Sequence, residues 1–190
     1  MALIAITGGI GSGKSVVSRI LSVLGYSVYD CDLRAKQIMD GSSEIKSYIA
    51  EHICTEAITS AGDIDRVVLA QEVFNNPRKL ELLNIAVHEA VKSDLTTWAS
   101  DKQLAFVETA ILYQSGLDLM VDRVWEVTAP EEIRIQRVLK RNNITVEQVK
   151  ARIKSQDDFA VKKKHPATIL IENDNTVPLL PQILTLLATL

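Results

Sequence analysis

The sequence predicts an α/β protein, a three-layer sandwich with a five-stranded parallel sheet between two layers of helices. Most of the strand-like segments are continuous apolar runs, which is typical of parallel strands that are covered on both faces. Amphipathic helical patterns separate these segments, and such alternation is typical of a doubly wound sheet. The expected strands are Leu3–Thr7, Ser27–Asp30, Leu104–Glu108, Arg123–Thr128 and Thr168–Ile171.

The helical patterns fall into two groups. Four of them lie between or after the strands, at residues 14–24, 131–141, 146–157 and 178–189. The others, at residues 33–40, 43–52, 65–74 and 77–100, lie within one long interval between the second and third strands. A parallel crossover needs only about a dozen residues. We therefore predict that residues 33–102 form a helical insertion packed over the carboxyl edge of the sheet, where α/β proteins bind ligands. A structural extension remote from the site is the alternative.

Bulk composition excludes several classes of protein. The chain has 190 residues, of which 47% are hydrophobic and 24% charged, as in an ordinary globular protein. Its net charge of −3 argues against sequence-independent binding of nucleic acid. The two cysteines, Cys31 and Cys54, form neither a disulfide framework nor a zinc site. Apolar runs are too short to cross a membrane, and no charged region precedes the first one, so we expect a cytoplasmic protein.

One motif points directly to phosphate chemistry. Residues 8–15 read Gly-Gly-Ile-Gly-Ser-Gly-Lys-Ser and connect the first apolar strand to an amphipathic helix that Gly25 ends. In this context, the glycines turn backbone N–H groups towards an anion and the helix N-terminus adds positive potential. Lys14 is expected to reach the β- and γ-phosphates, and the Ser15 hydroxyl to bind Mg²⁺. We call residues 8–15 the phosphate loop.

Two acidic residues close the second strand, in Asp30-Cys31-Asp32. Phosphoryl transfer to an alcohol needs a carboxylate that accepts the proton, and Mg²⁺ needs oxygen ligands besides phosphate. Alternate residues of an extended segment point the same way, so both carboxylates are expected to face the ligand crevice. Asp32 is the expected base and Asp30 a metal ligand. An N-cap role for Asp32 is the alternative.

Three arginines share one face of the helix after the fourth strand: Arg134, Arg137 and Arg141. Like charges at this spacing are unfavourable on an isolated helix, and a bound polyanion would offset the repulsion. Arg141 precedes Asn142-Asn143, which break the helix and suggest a mobile lid at about residues 141–157. We expect Arg141 to close over the transferring phosphate. Arg134 is expected to be a surface residue.

Two further polar residues lie at informative places. Glu108 ends the third strand, where it is expected either to hold a substrate group or a metal-bound water, or to cap a short helix. His88 lies on a long amphipathic helix within the insertion. A lone helical histidine is more often structural, but this position favours a contact with the second substrate.

These motifs resemble the dephospho-coenzyme A kinase family along almost the whole chain. Residues 6–15 are similar to its T-G-G-I-G-S-G-K-[ST] loop, and Asp30-Cys31-Asp32 to its D-A-D element. Further similarities, to the family's L-N-x-x-x-H-P, lid-arginine, R-I-x-x-Q and A-D-x-V-I-x-N elements, involve Leu83-Asn84 with His88, Arg137 with Arg141, Arg152-Ile153 with Gln156, and Ala167–Asn173.

The resemblance implies a P-loop NTPase-type fold that phosphorylates the ribose 3′-hydroxyl of dephospho-CoA with ATP and Mg²⁺, the last step of coenzyme A synthesis. Residues 1–32 and 103–190 would form the nucleotide-binding core, and residues 33–102 would bind the acceptor. Asp32 would be the base, with Lys14 and Arg141 also catalytic; Asp32, His88 and Glu108 would contact the acceptor, and Ser15 and Asp30 the metal. The expected ATP contacts are Gly9, Gly11, Ser12, Gly13, Lys14, Ser15, Val16, Arg137 and Asn173.

The sequence departs from the family pattern at three places. Glu89 replaces the usual proline after His88, which should leave that helix unbroken. Residues 109–113 differ from the usual P-L-L-[FY]-E stretch, and Thr168 stands where an aspartate is usual. These differences concern contacts with the acceptor and with adenine.

Other functions are less consistent with the motifs. Another nucleoside or nucleotide kinase of the same architecture is the alternative enzyme. A GTPase would carry N-K-x-D and D-x-x-G segments, and the sequence has neither. We expect small-molecule substrates only, no nucleic-acid or membrane partner, and a monomer or a weak homo-oligomer.

Overall fold

The computed structural model describes residues 2–142, 144–160 and 164–190, with residues 157–160 as backbone only. Asn143, in the predicted helix break, lies outside the described residues. The chain forms two compact units. One comprises the chain up to Asp30 together with Asp101–Leu190, and the other comprises Cys31–Ser100.

A five-stranded parallel sheet forms the centre of the first unit. Its strands are β1 (Ala2–Thr7), β2 (Ser27–Asp30), β3 (Leu104–Glu108), β4 (Arg123–Thr128) and β5 (Thr168–Glu172), in the order β2-β3-β1-β4-β5. All five predicted strands and the parallel sheet are confirmed. Because β1 is the middle strand and the order reverses around it, the loop that follows β1 leaves the sheet at the switch point where α/β proteins bind ligands.

The described residues also form eight α-helices and two short 3₁₀ helices, Thr55–Ala57 and Leu117–Leu119. Each predicted helix is confirmed, with its ends shifted by at most a few residues. The α-helices are α1 (Lys14–Val23), α2 (Cys31–Gly41), α3 (Ser43–His52), α4 (Arg66–Phe74), α5 (Pro77–Ala99), α6 (Glu131–Arg141), α7 (Val146–Ala160) and α8 (Leu179–Leu187). None of the described helices combines the length and apolarity that a membrane crossing requires.

The core of the first unit lies on the sheet face covered by α1 and α8. Alternate strand residues, among them Ile6, Phe106 and Trp125, bury their side chains there against Val17 of α1 and Ile183 of α8. The Phe106 and Trp125 rings pack 5.1 Å apart. This burial fixes α1 against the sheet, and therefore fixes the helix N-terminus that follows the phosphate loop.

A smaller apolar cluster joins α6 to α7 in the same unit. Val138 of α6 contacts Val149 and Ile153 of α7, and all three side chains are buried. Ile10, at the tip of the phosphate loop, packs against this cluster. The loop tip is therefore held by hydrophobic contact with helices that lie far from it in sequence.

The second unit consists of α2 to α5 around their own core. Ser42, Asp65 and Asn76 cap α3, α4 and α5 with side-chain oxygens, and Pro77 is the first residue of α5. α5 runs unbroken past His88 and Glu89, as the absence of the usual proline predicts. The core contains Ile45, Ile49, Ile53, Ala57, Leu69 and Leu83.

The core of the second unit gives a stability prediction with a matched control. Ile49 is fully buried, whereas Ile85 of α5 is 52% exposed. We expect Ile49→Ala to lower the free energy of unfolding by about 2–5 kcal/mol, because it removes buried methyl groups and leaves a cavity. Ile85→Ala should cost less than about 1 kcal/mol. Urea denaturation monitored by circular dichroism measures both, and equal losses would contradict the assigned core.

Candidate active site

The phosphate loop has the backbone conformation that anion binding requires. Gly11 and Gly13 have φ angles of 78° and 104°, in the left-handed region that favours glycine. There is also no room for a side chain: a methyl group at Gly13 would overlap the side-chain amide of Asn173. The glycines are therefore required both by dihedral angle and by the close approach of a neighbouring segment.

The cation of the loop, the ammonium group of Lys14, reaches back to the beginning of the loop. Lys14 is the first residue of α1, and its Nζ donates to the carbonyl oxygens of Gly8 and Gly9, at 2.8 and 3.4 Å. The N-terminus of α1 adds its positive dipole end at the same place. An oxygen-rich anion such as a polyphosphate fits this combination of ammonium group and helix N-terminus.

Two segments hold the loop from outside. Asn173, directly after β5, donates from Nδ2 to the carbonyl oxygen of Ser12 at 2.7 Å. Arg137 of α6 donates to the same oxygen at 3.2 Å and to the Asn173 carbonyl at 2.9 Å. Both residues were predicted to contact the nucleotide. The structure brings both to the loop backbone, and direct contact with ATP stays a prediction.

The expectation that Arg134 is a surface residue is wrong. Its guanidinium is partly buried and its Nε donates to the Ile10 carbonyl at 3.0 Å. The reason is geometric: residues 134 and 137 lie three apart on α6, so they share the face that packs against the loop. Arg141, the last residue of α6, is exposed and donates from Nε to Asn142 Oδ1 at 3.1 Å.

Gln156 of α7 belongs to the segment that resembles the R-I-x-x-Q element, and the sequence alone predicts no role for it. Its Oε1 accepts a hydrogen bond from the Ile10 N–H at 2.7 Å. Arg134 therefore binds the carbonyl of Ile10 while Gln156 binds its N–H. The sequence signal for this pair is that polar residues recur beside the apolar residues of both helices. The structure then shows that the apolar faces of α6 and α7 pack together.

Two carboxylates mark the carboxyl edge of the sheet beside the loop. β2 and β3 pair so that Asp30 lies opposite Glu108, and Glu108 in turn lies opposite Ile6 of β1. Asp30 is exposed and Glu108 partly buried. The predicted placement of both residues at this edge is thus observed, while their contacts with metal or acceptor stay predictions.

The extended geometry expected for Asp32 is wrong. β2 ends at Asp30 and α2 begins at Cys31, so Asp32 is an exposed residue in the first turn of a helix. It is also inside the helix rather than its N-cap. An acidic residue is favourable there because the helix dipole is positive at its N-terminus. Asp32 belongs to the second unit, and the argument from alternating side chains does not apply to it.

A magnesium ion would find suitable but sparse ligands. Ser15 exposes its side chain in the first turn of α1, and Asp30 is an exposed carboxylate. The part of the chain that the structure describes contains no group of three or more acidic, histidine or cysteine side chains able to enclose a metal. Mg²⁺ commonly binds through one or two protein oxygens and otherwise keeps water and substrate phosphates, and its binding by Ser15 and Asp30 stays a prediction.

His88 lies midway along α5 in the second unit and is partly buried. Burial lowers the pKa of its imidazole, and the nearby ammonium group of Lys92 lowers it further. A lowered pKa makes the neutral form predominate at neutral pH. His88 is therefore suited to hydrogen bonding rather than to pairing with a phosphate, and its contact with the acceptor stays a prediction.

A cavity of about 220 Å³ adjoins the loop within the first unit. Its walls include Thr7 at the end of β1, Glu126 of β4, and Tyr113 in the segment after β3. Glu126 pairs with Lys164 at 2.8 Å, and the hydroxyl of Tyr113 accepts from the His165 N–H at 3.1 Å. The cavity thus opens beside the phosphate loop and has a partly polar lining.

Gly13 and Gly25 offer a matched test of the loop. Both have positive φ, 104° and 91°, but only at Gly13 would a methyl group strike another segment; a methyl group at Gly25 would meet no described atom within 4 Å apart from its adjoining residues. We expect Gly13→Ala to displace Asn173 and deform the loop, and so to weaken ADP binding about tenfold or more. This corresponds to a loss of at least about 1.4 kcal/mol of binding free energy. Calorimetric titration with ADP measures this.

Gly25→Ala is the control for this experiment. It should carry a similar backbone strain, about 1–2 kcal/mol, and lower the stability of the protein. Its affinity for ADP should be unchanged, because Gly25 follows α1 at the end remote from the loop. A comparable loss of ADP affinity in both variants would show that strain rather than the Asn173 contact governs binding.

Comparisons with known proteins agree with this geometry. The family model described as dephospho-CoA kinase matches residues 2–178. A dephospho-CoA kinase of Porphyromonas gingivalis is 38% identical, covering 100% of this chain and 94% of the relative. One of Bacteroides fragilis is 37% identical, covering 98% and 92%.

Solved structures give the same result for the fold. A crystal structure from Thermus thermophilus superposes with a TM-score of 0.79 at 30% identity, covering 99% of this chain and 96% of that one. The predicted P-loop NTPase-type α/β fold is confirmed. Together with the family model and the relatives, this shows that the chain belongs to the dephospho-CoA kinase family.

Proposed function

We propose that this chain transfers the γ-phosphoryl group of ATP to the ribose 3′-hydroxyl of dephospho-CoA, with Asp32 as the base and Mg²⁺ as the metal. Its family membership makes the chain a kinase that phosphorylates dephospho-CoA with ATP in coenzyme A synthesis. The 3′ position, the metal and the residue roles are the finer proposal. The observation that carries it is the phosphate loop, shaped for an anion and followed by Lys14 at a helix N-terminus.

The chemical step consists of one substitution at phosphorus. The acceptor oxygen forms a bond to the γ-phosphorus, the bond from that phosphorus to the bridging oxygen breaks, and ADP leaves with the electron pair. The proton of the acceptor hydroxyl goes to the carboxylate of Asp32. We assign this role to Asp32 because the sequence motif selects it and because its side chain is exposed.

Binding of ATP rests on the loop. The amides of Gly9, Gly11, Ser12 and Gly13 and the first turn of α1, with Lys14, Ser15 and Val16, would surround the phosphates. Ser15 and Asp30 would hold Mg²⁺, which when bound offsets phosphate charge. Arg141 would close over the transferring group, and Arg137 and Asn173 support the loop from behind.

The two units suggest a division of labour. The first unit carries the phosphate loop and would bind ATP, and the second, Cys31–Ser100, would bind dephospho-CoA. His88 and Glu108 would contact the acceptor. The polypeptide segment at about residues 141–157 would act as a lid. We further propose that the protein works in the cytoplasm as a monomer or weak homo-oligomer and, with a net charge of −3, without nucleic acid.

The assignment of the base is tested by a substitution that preserves shape. Asp32→Asn removes the proton acceptor, so we expect kcat to fall about 10²–10⁴-fold with little change in the KM for ATP. The control is Asp40→Asn on the same helix, whose exposed carboxylate pairs with Arg66 at 2.6 Å. That variant should retain normal turnover. An Asp32→Asn enzyme that keeps kcat within about threefold has lost too little for a general base, and the assignment would be wrong.

Product analysis tests the reaction itself. The protein is incubated with ATP, Mg²⁺ and either dephospho-CoA, AMP or adenosine, and release of ADP is followed. We expect turnover with dephospho-CoA, and a product whose phosphorus couples to the ribose 3′-proton in the NMR spectrum. Phosphate at the 2′ position contradicts the proposed regiochemistry, and turnover confined to AMP or adenosine contradicts the proposed acceptor.

A further inference from the structure

The guanidinium of Arg134 is anchored on one side only. Its Nε donates to the Ile10 carbonyl at 3.0 Å, whereas its Nη2 is buried and has no hydrogen-bond partner among the described residues. A buried donor on a charged group is costly to leave unpaired. Such groups are uncommon in folded proteins and therefore point to a ligand that supplies the missing acceptor.

The unpaired nitrogen lies directly on the phosphate loop. A methyl group at Gly9 would overlap Arg134 Nη2, so the guanidinium lies against the backbone of Gly9. Arg134 and Gly9 both line the 220 Å³ cavity described above. The position of the guanidinium is fixed by the Ile10 bond and by the packing of α6, so Nη2 does not need to be reorganised before a ligand binds.

A second unpaired group lines the same cavity. Ser12 is fully buried, and its Oγ has no hydrogen-bond partner among the described residues. A guanidinium and a hydroxyl both donate hydrogen bonds, so the ligand that satisfies both must present acceptor oxygens. Ser12 is an independent observation, because it belongs to the loop and Arg134 to a helix more than one hundred residues away in sequence.

The local charge specifies an anion. Lys14 Nζ donates to the carbonyl of Gly9 at 3.4 Å, and the guanidinium of Arg134 lies against the same residue. Two cationic groups therefore lie next to Gly9. The acidic residue in the cavity wall, Glu126, is paired with Lys164 at 2.8 Å, which offsets its charge. The lysine of a phosphate loop reaches the β- and γ-phosphates. The group nearest to Gly9 is then the terminal phosphoryl group.

We infer that Arg134 is a further catalytic residue, whose Nη2 binds an oxygen of the γ-phosphoryl group during transfer. The inference rests on the proposed kinase reaction. During phosphoryl transfer the arginine forms no covalent bond and stays protonated. Its positive charge offsets the negative charge of the phosphoryl oxygens while the bond to ADP breaks. Ser12 Oγ donates to an oxygen of the same group. Charge held in place beforehand in this way favours the transition state over the bound substrate.

The test separates catalysis from support of the loop. Arg134→Gln removes the charge and Nη2, but the amide nitrogen of the glutamine takes the place of Nε and keeps the hydrogen bond to the Ile10 carbonyl. We therefore expect kcat to fall about 10²-fold while the affinity for ADP stays within about threefold. Affinity for ADP with aluminium fluoride, which imitates the transferring phosphoryl group, should fall by the same factor as kcat. Titration calorimetry measures both affinities, and thermal unfolding monitored by circular dichroism verifies that the variant is folded.

Gln156→Leu is the matched control. It removes the other hydrogen bond that holds Ile10, at 2.7 Å, without changing the charge of the site. This variant should weaken ADP and ADP with aluminium fluoride by the same factor, because both need the loop in shape. If Arg134→Gln behaves in this same way, or leaves kcat unchanged, Arg134 only positions the loop and the inference is overturned.

Arg134→Lys provides a second variant. It keeps a cation near the cavity but loses the fixed Nε bond to Ile10, so it should retain more of kcat than Arg134→Gln. A loss of kcat in Arg134→Lys as large as that in Arg134→Gln would show that the reaction does not depend on a cation at this position, and would overturn the inference. The aluminium fluoride measurement needs no turnover, so it judges Arg134 separately from the acceptor: a wild-type enzyme inactive on dephospho-CoA contradicts the proposed function alone.

Discussion

The outward direction of the Ile10 and Ser12 carbonyl groups is the constraint on which the site depends. In a trans peptide the C=O and N–H groups point in opposite directions, so a carbonyl held from outside turns the following amide towards the loop interior. Asn173 and Arg137 hold the carbonyl of Ser12, and Arg134 holds that of Ile10. The loop does not need the anion to set these directions, because side chains from two other segments already set them.

Glycine makes this external support necessary. Because glycine has no Cβ atom, Gly11 and Gly13 can take positive φ angles. The same lack of a side chain gives the unfolded loop more conformational freedom, which is lost on folding. The loss is offset by contacts from sequence-distant parts of the first unit. Ile10 adds its apolar side chain to the cluster of Val138 and Val149, so the tip of an otherwise glycine-rich turn is anchored in a core. A hydrophobic residue in the middle of a phosphate-binding motif is explained by this packing.

The elements of the fold were predictable because their signals are local. Apolar runs gave the five strands, and the phosphate loop is a contiguous motif whose neighbours confirm it. The start of α2 was not predictable, because Asp32 is as acceptable in a first helical turn as at an N-cap, and helix ends vary by one or two residues. That small difference moved Asp32 from a strand-like geometry into a helix, and with it the direction of its side chain.

The roles of the three arginines were only partly predictable for a different reason. Spacing shows that Arg134, Arg137 and Arg141 share a helix face, but the face that meets the loop is decided by how α6 packs, which involves residues far apart in sequence. Arg134 precedes Arg137 by three residues and about 4.5 Å of helix rise, and Arg141 follows by about 6 Å. The first two reach the loop, and the third extends beyond it to the exposed end of the helix.

This arrangement couples the loop to the helix. Arg134 binds Ile10 and Arg137 binds Ser12, so a displacement of α6 would have to break both charge-assisted hydrogen bonds and withdraw Ile10 from its apolar cluster at once. Contacts that must break together behave as one cooperative unit rather than as independent bonds. The shape of the loop and the position of α6, which ends at Arg141, are therefore coupled.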